Sequence, residues 1–175
     1  MRGSVAMAIG LMMAMGGVGV AQATVNAVPV PPAVKPAEGV DYRSDASLEE
    51  LAKGLMAASK VAASGNVSVT LDKYPGYFTM LSTRVKSGGA ELHAKAADLF
   101  VAIDGEATVI TGGTIVDRTD KGDEARGTRV DGGVAQVMHK GDVITIAPNV
   151  PHQTLVAPGK TFTYFVVKVV PATGS

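Results

Sequence analysis

The sequence predicts an all-β sandwich or barrel preceded by a single helix, and three observations lead there. From Val67 to Val169 short runs alternate apolar and polar residues, the two-residue period of half-buried strands. Turn signals carrying Gly or Pro interrupt those runs at close, even spacing, as in proteins built from many short antiparallel strands. One helical pattern, Leu48, Leu51, Leu55 and Met56, ends before the first strand begins.

A chain of 175 residues is enough for one domain with extensions. At roughly 150 residues a domain buries about 70% of the surface its unfolded chain exposes, so a core without covalent staples is expected. The 16 basic residues balance 16 acidic ones, and no Lys/Arg run stands out. Nucleic acid is therefore not an expected partner, because phosphate binding needs a basic excess or face. Cys is absent. Disulfides and thiolate ligands are excluded, and any metal must rely on His and carboxylates.

The chain opens with Arg2, an apolar run from Val5 to Val20, and then Ala21-Gln22-Ala23. A basic start, an apolar middle and small residues at a cleavage point form an export leader, so residues 1–23 are read as a signal peptide cut after Ala23. The apolar run, about 16 residues, is shorter than the roughly 20 of a spanning helix. No stable membrane anchor is expected after cleavage, and the mature protein is expected in the periplasm or secreted.

Residues 24–65 hold a linker and the helix. Pro29, Pro31, Pro32 and Pro36 deny backbone donors to any regular element, which favours an extended segment. Ser47-Leu48-Glu49-Glu50 has the spacing of a capping box, which predicts an amphipathic helix from Ser47 to Ser59, stopped by Ser64-Gly65-Asn66. Its apolar face is expected to pack on the outside of the main domain.

The strand region runs over 66–171. Val67, Val69 and Leu71 alternate with polar residues, Tyr74-Pro75-Gly76 marks a turn, and Thr83 to Lys86 alternates again. Further strands are expected at Glu91–Ala94, Asp98–Ile103, Ala107–Thr111, Gly127–Val130, Val134–His139, Asp142–Ala147, Gln153–Val156 and Phe162–Val169. Asp104-Gly105, Gly112-Gly113 and Gly132-Gly133 suit tight hairpins. The run from Asp117 to Arg126 is nearly all charge. It reads as a solvated loop, with a lid over a pocket as the functional alternative.

Two stretches carry chemistry. The first is Gly89-Ala90-Glu91-Leu92-His93-Ala94-Lys95-Ala96-Ala97-Asp98, with Gly105 beyond it. The second runs from Gly141-Asp142 to Asn149-Val150-Pro151-His152. Together they resemble the paired motifs of the cupin superfamily. Asp98 and Gly105 keep the first motif's acid-to-Gly spacing. Asn149 stands at a Gly position of the second, and both residue types tolerate a left-handed backbone. The first motif is degraded. Counted back from Asp98 without a gap, its two histidine positions fall on Leu92 and Ala94; a one-residue deletion aligns His93 and Lys95 instead.

The resemblance implies a single jelly-roll β-barrel, with His93, Asp98 and His152 holding a divalent metal inside it. A two-His, one-carboxylate set suits Fe, Mn, Zn or Ni with positions left open for a ligand. Lys95 would oppose a nearby cation or pair with a substrate anion. Tyr164 and Tyr77 are acid/base or packing candidates. His139, beside a turn, is expected at the surface. On this reading the protein binds a metal and a small-molecule ligand, as an isomerase, lyase or dioxygenase. The alternative is a metal-free, non-catalytic binding or envelope protein. A homodimer that covers an edge strand is a further expectation.

Overall fold

A computed structural model describes residues 28–170. The leader read over residues 1–23 lies outside them. An extended segment leads in, with Val34 bridged to Tyr42. Arg43 fastens it to the barrel by donating to both oxygens of Asp72, at 3.0 and 3.2 Å.

Helix α1 spans Asp45–Val61. The helix is longer than its pattern predicts, because its N-cap is Ser44 and not Ser47. Ser44 Oγ accepts from the Ser47 amide, while Ser47 Oγ donates back to the Ser44 carbonyl. Leu51 and Leu55 bury against Leu81, with Val67, Val69, Leu71 and Ile103 around them. The helix thus covers the outer face of the sheet, as its stripe of leucines requires.

The strands follow in order: β1 Asn66–Tyr74, β2 Tyr77–Arg84, β3 Ala90–His93, β4 Ala97–Thr111, β5 Thr114–Val116, β6 Thr119–Lys121, β7 Glu124–Gly127, β8 Arg129–Asp131, β9 Val134–His139, β10 Val143–Ile146, β11 His152–Leu155 and β12 Phe162–Val169. One curled antiparallel sheet runs β1-β2-β12-β4-β11-β3-β7-β6, with β9 and β10 also paired to β4; β5 and β8 form a separate ribbon. This is the expected jelly-roll barrel with its helix. Its main core gathers Phe100, Val109, Met138, Ile146, Phe162, Tyr164 and Val166 between the walls.

Two expectations about turns are corrected. Asp104-Gly105 is no hairpin: β4 runs unbroken for 15 residues and bends there. Its first half pairs with β10 and β12, its second with β9 and β11. Gly105 takes φ +76°, and a Cβ there would lie 2.0 Å from the Thr161 carbonyl oxygen, so only Gly permits this crossing. Gly112-Gly113 and Gly132-Gly133 connect strands that do not pair with each other, since β5 takes β8 as its partner. The charged run is likewise no loop. It forms the β6–β7 hairpin, and β7 pairs with β3 in the register Glu91↔Arg126, Leu92↔Ala125, His93↔Glu124.

Candidate functional site

The alternation of β3 and β7 sorts their residues. Leu92 and Ala125 face a small apolar cluster with Ala90, Ile115 and Val130. Glu91, His93, Glu124 and Arg126 face the other way, into a pocket of ≈ 410 Å³. Two more strands bring the remaining site residues against it. His152, the first residue of β11, lies opposite Glu91. Asp98 near the start of β4 lies opposite Lys168 of β12. The charged groups therefore meet as cross-strand pairs, whose side chains stand within reach by strand geometry.

His93, Asp98 and His152 converge as expected, with exposures of only 4%, 3% and 2%. His93 Nε2 lies 3.1 Å from Asp98 Oδ2, and His152 Nε2 lies 3.5 Å from the same oxygen. Each ring is anchored through its other nitrogen. Nδ1 of His93 meets the Glu124 carboxylate at 2.7 and 2.8 Å. A carboxylate only accepts, so that nitrogen carries the proton. Nδ1 of His152 donates to the Val150 carbonyl at 3.0 Å. The turn that presents it is fixed by Asn149, at φ +64°, whose amide donates to the His93 carbonyl. The Gly-like role expected of Asn149 is thus its actual conformation.

The consequence is a crowd of lone pairs. With their protons on Nδ1, both Nε2 atoms face Asp98 Oδ2 as acceptors, and His152 Nε2 has no hydrogen-bond partner among the described residues. An unpartnered buried acceptor is costly. A proton or a cation must relieve the crowding. The titration follows from this. Burial disfavours a charged His93, and Lys168 adds to that, but Asp98 and Glu124 outweigh both and raise its pKa. Burial alone would push Asp98 up; His152, His93 and Lys168 outweigh it and hold the carboxyl far below the usual range.

The donor set fits a divalent metal. Ligand atoms bound at about 2.0–2.2 Å in tetrahedral or octahedral geometry stand about 3.0–3.5 Å apart. The contacts of Asp98 Oδ2 with the two Nε2 atoms match that spacing. Glu91 is a further carboxylate that could hold an ion, and the motif count missed it. Glu91, His93 and His152 each offer an atom within 4.8 Å of the others, and Glu91 Oε2 lies 3.8 Å from His93 Nε2. Glu91 and His93 thus stand two residues apart on one face of β3, a pair that neither the Leu92/Ala94 nor the His93/Lys95 alignment picks out. The strand's period of two was the available signal.

Lys95 is not brought to the cluster. Its side chain is 64% exposed and Nζ pairs with Asp123 at 3.1 Å. The lysine at the site is Lys168, whose Nζ lies 2.8 Å from His93 Nε2 and 2.9 Å from Asp98 Oδ1. Tyr164 lines the pocket but is a buried packing group. Its ring stacks on Phe162 at 4.8 Å and meets Phe100 at 5.0 Å, and its hydroxyl accepts from Arg84 Nε at 2.9 Å. It thereby aims Arg84, which nothing in the strand pattern singles out. Tyr77 stacks on Tyr74 at the far end of the sheet. His139 is exposed, as expected.

A curled antiparallel barrel with imidazoles and carboxylates on its inner face is cupin-like in architecture. No protein-family model and no curated protein matches the sequence. Solved structures that it resembles include an oxalate oxidase, at 15% identity and a TM-score of 0.47, over 65% of this chain and 55% of that one. Others are the cupin domain of Schizosaccharomyces pombe Cnp3, at 9% identity and 0.46 over 61% of each chain, and a cupin-like protein from Thermotoga maritima, at 14% and 0.45 over 63% of this chain and 72% of that one. The chain spans little more than half the length of the oxalate oxidase. At these identities the likeness is one of fold.

Proposed function

We propose that the protein, exported through its N-terminal leader, binds one divalent metal through Glu91, His93, Asp98 and His152 and takes a small anionic molecule into the pocket beside it. The single observation that carries this reading is the buried His152 Nε2, which has no hydrogen-bond partner among the described residues and meets Asp98 Oδ2 beside His93 Nε2. Fe, Mn, Zn or Ni suits such a set, and when bound the ion supplies Lewis acidity toward a carboxylate or carbonyl oxygen.

The chain's own residues do the rest. Glu124 and the Val150 carbonyl fix the ring orientation and tautomer of the two histidines. Arg84, braced by Tyr164, and Arg126 supply cationic donors at the pocket wall, where a carboxylate would be oriented. Phe78, Phe100, Met80 and Val166 form the apolar remainder and limit water. Isomerase, lyase and dioxygenase chemistry are all compatible with this arrangement.

Metal analysis and calorimetry on untagged protein test the reading. The expected result is one ion per chain, lost in His93→Ala/His152→Ala. If neither binding nor a thermal shift occurs with any of the four ions, the barrel is the metal-free binding protein of the alternative reading.

A further inference from the structure

The charged lining of the pocket sums to zero. Its acids are Glu91, Asp98 and Glu124, and its bases are Arg84, Arg126 and Lys168. Asp98 pairs with Lys168, and Glu124 with Arg126 at 3.1 Å. Glu91 pairs with Arg126, and lies 3.9 Å from Arg84. Lys168 is the unusual member. From the neighbouring strand, and with only 17% of its side chain exposed, it reaches two of the very residues that would bind a metal. Its ammonium donates toward His93 Nε2 and sits against Asp98 Oδ1.

A divalent ion arriving on these ligands meets an ammonium that already serves them. Once bound, it leaves the lining with two positive charges in excess, in a partly buried space where unbalanced charge is poorly screened. A small ligand carrying two negative charges cancels that excess and gives the released ammonium a new partner. Resting on the metal reading above, the geometry points to Lys168 as a tethered cation that holds the metal's ligands in the metal-free protein and makes metal uptake depend on a small dianionic carboxylate. By linkage, metal and carboxylate then strengthen each other's binding.

The test titrates Mn2+ into the metal-free full chain by calorimetry, with and without malonate, after subtracting the Mn2+–malonate association measured in buffer. Malonate should tighten Mn2+ binding to the wild type about tenfold, within the usual span of coupled sites. Lys168→Met and Lys168→Gln should bind Mn2+ about tenfold more tightly than wild type without malonate, and should show a smaller malonate effect. Lys168→Arg should behave like the wild type. In the absence of metal Lys168→Met should melt below the wild type, because Asp98 loses its counter-charge, and Mn2+ should close the gap. Lys168→Gln keeps the test decisive if the Met variant does not fold. The inference is overturned if both neutral variants bind Mn2+ no tighter than wild type, or if malonate acts equally on all forms. If no form binds Mn2+, the metal reading itself has failed and this inference falls with it.

Discussion

Glu124 grips His93 through Nδ1, with both carboxylate oxygens at 2.7–2.8 Å, and so leaves Nε2 turned into the pocket. A carboxylate behind a ligating imidazole sets its tautomer and raises its basicity, and losing such a partner typically costs 10–100-fold in metal affinity. Glu124→Ala should therefore weaken Mn2+ binding by roughly that factor while the barrel stays folded. Calorimetric affinity together with near-UV circular dichroism measures both; unchanged affinity would remove Glu124 from the site.

Acidity should act in opposite directions on the two forms of the protein. The raised pKa of His93 means that its contribution to stability is complete below about pH 6.5 and is lost as pH rises through the folded value. The lowered pKa of Asp98 means that its contribution is complete above about pH 4 and is lost as pH falls toward the folded value. With a chelator present, the melting temperature should decline as pH rises above about 6.5 and again as it falls below about 4. A metal binds only an unprotonated His93 Nε2, so the rise in melting temperature caused by Mn2+ should grow from about pH 5.5 to 8. Differential scanning fluorimetry across that range decides it, and a metal increment that shrinks with pH would contradict the assigned ligands.

Tyr164 is expected to matter through Arg84 and not through proton transfer. Tyr164→Phe removes the acceptor of Arg84 Nε but keeps the stack on Phe162. Loss of one hydrogen bond to a charged group, about 1.5–3 kcal/mol, should appear as at least tenfold weaker binding of a carboxylate such as malonate. Mn2+ affinity without the carboxylate should be unchanged. Equal losses in both titrations would show a general disturbance of the core instead.

Much of this site could be read from the sequence because buried polar residues stand out in apolar strands. His93, Asp98 and His152 interrupt runs that otherwise alternate, and the Asn149-Val150-Pro151 turn marks where the last of them is presented. Glu91 escaped because a count along the chain ignores the pleat, which places i and i+2 together. Glu124 escaped because the charges on either side of it conceal the alternation; Ala125, 1% exposed, is the only apolar residue from Asp117 to Arg126. Lys95 lies two residues from His93, the spacing that shares a strand face, but β3 ends at His93, and Lys95 beyond it is exposed and paired with Asp123. Lys168 stands 75 residues away and becomes the neighbour only through the β12–β4 register.

Gly105→Ala should be among the most damaging single changes outside the site. An alanine there would have to hold a left-handed backbone, and its methyl would collide with the Thr161 carbonyl. The conformational penalty alone is about 1–2 kcal/mol, and the contact adds to it, so a loss of at least about 2 kcal/mol is expected in urea unfolding. A variant as stable as the wild type would show that the β4 bend can shift.

That same bend has a mechanical meaning. Because β4 is the inner strand of both walls, it stitches them with one unbroken stretch of backbone, and Asp98 rides on the half that pairs with β12, the strand of Lys168. The walls cannot hinge apart to admit cargo without tearing that seam. Amide hydrogens along Leu99 to Val109 should therefore exchange with solvent only when the entire barrel melts.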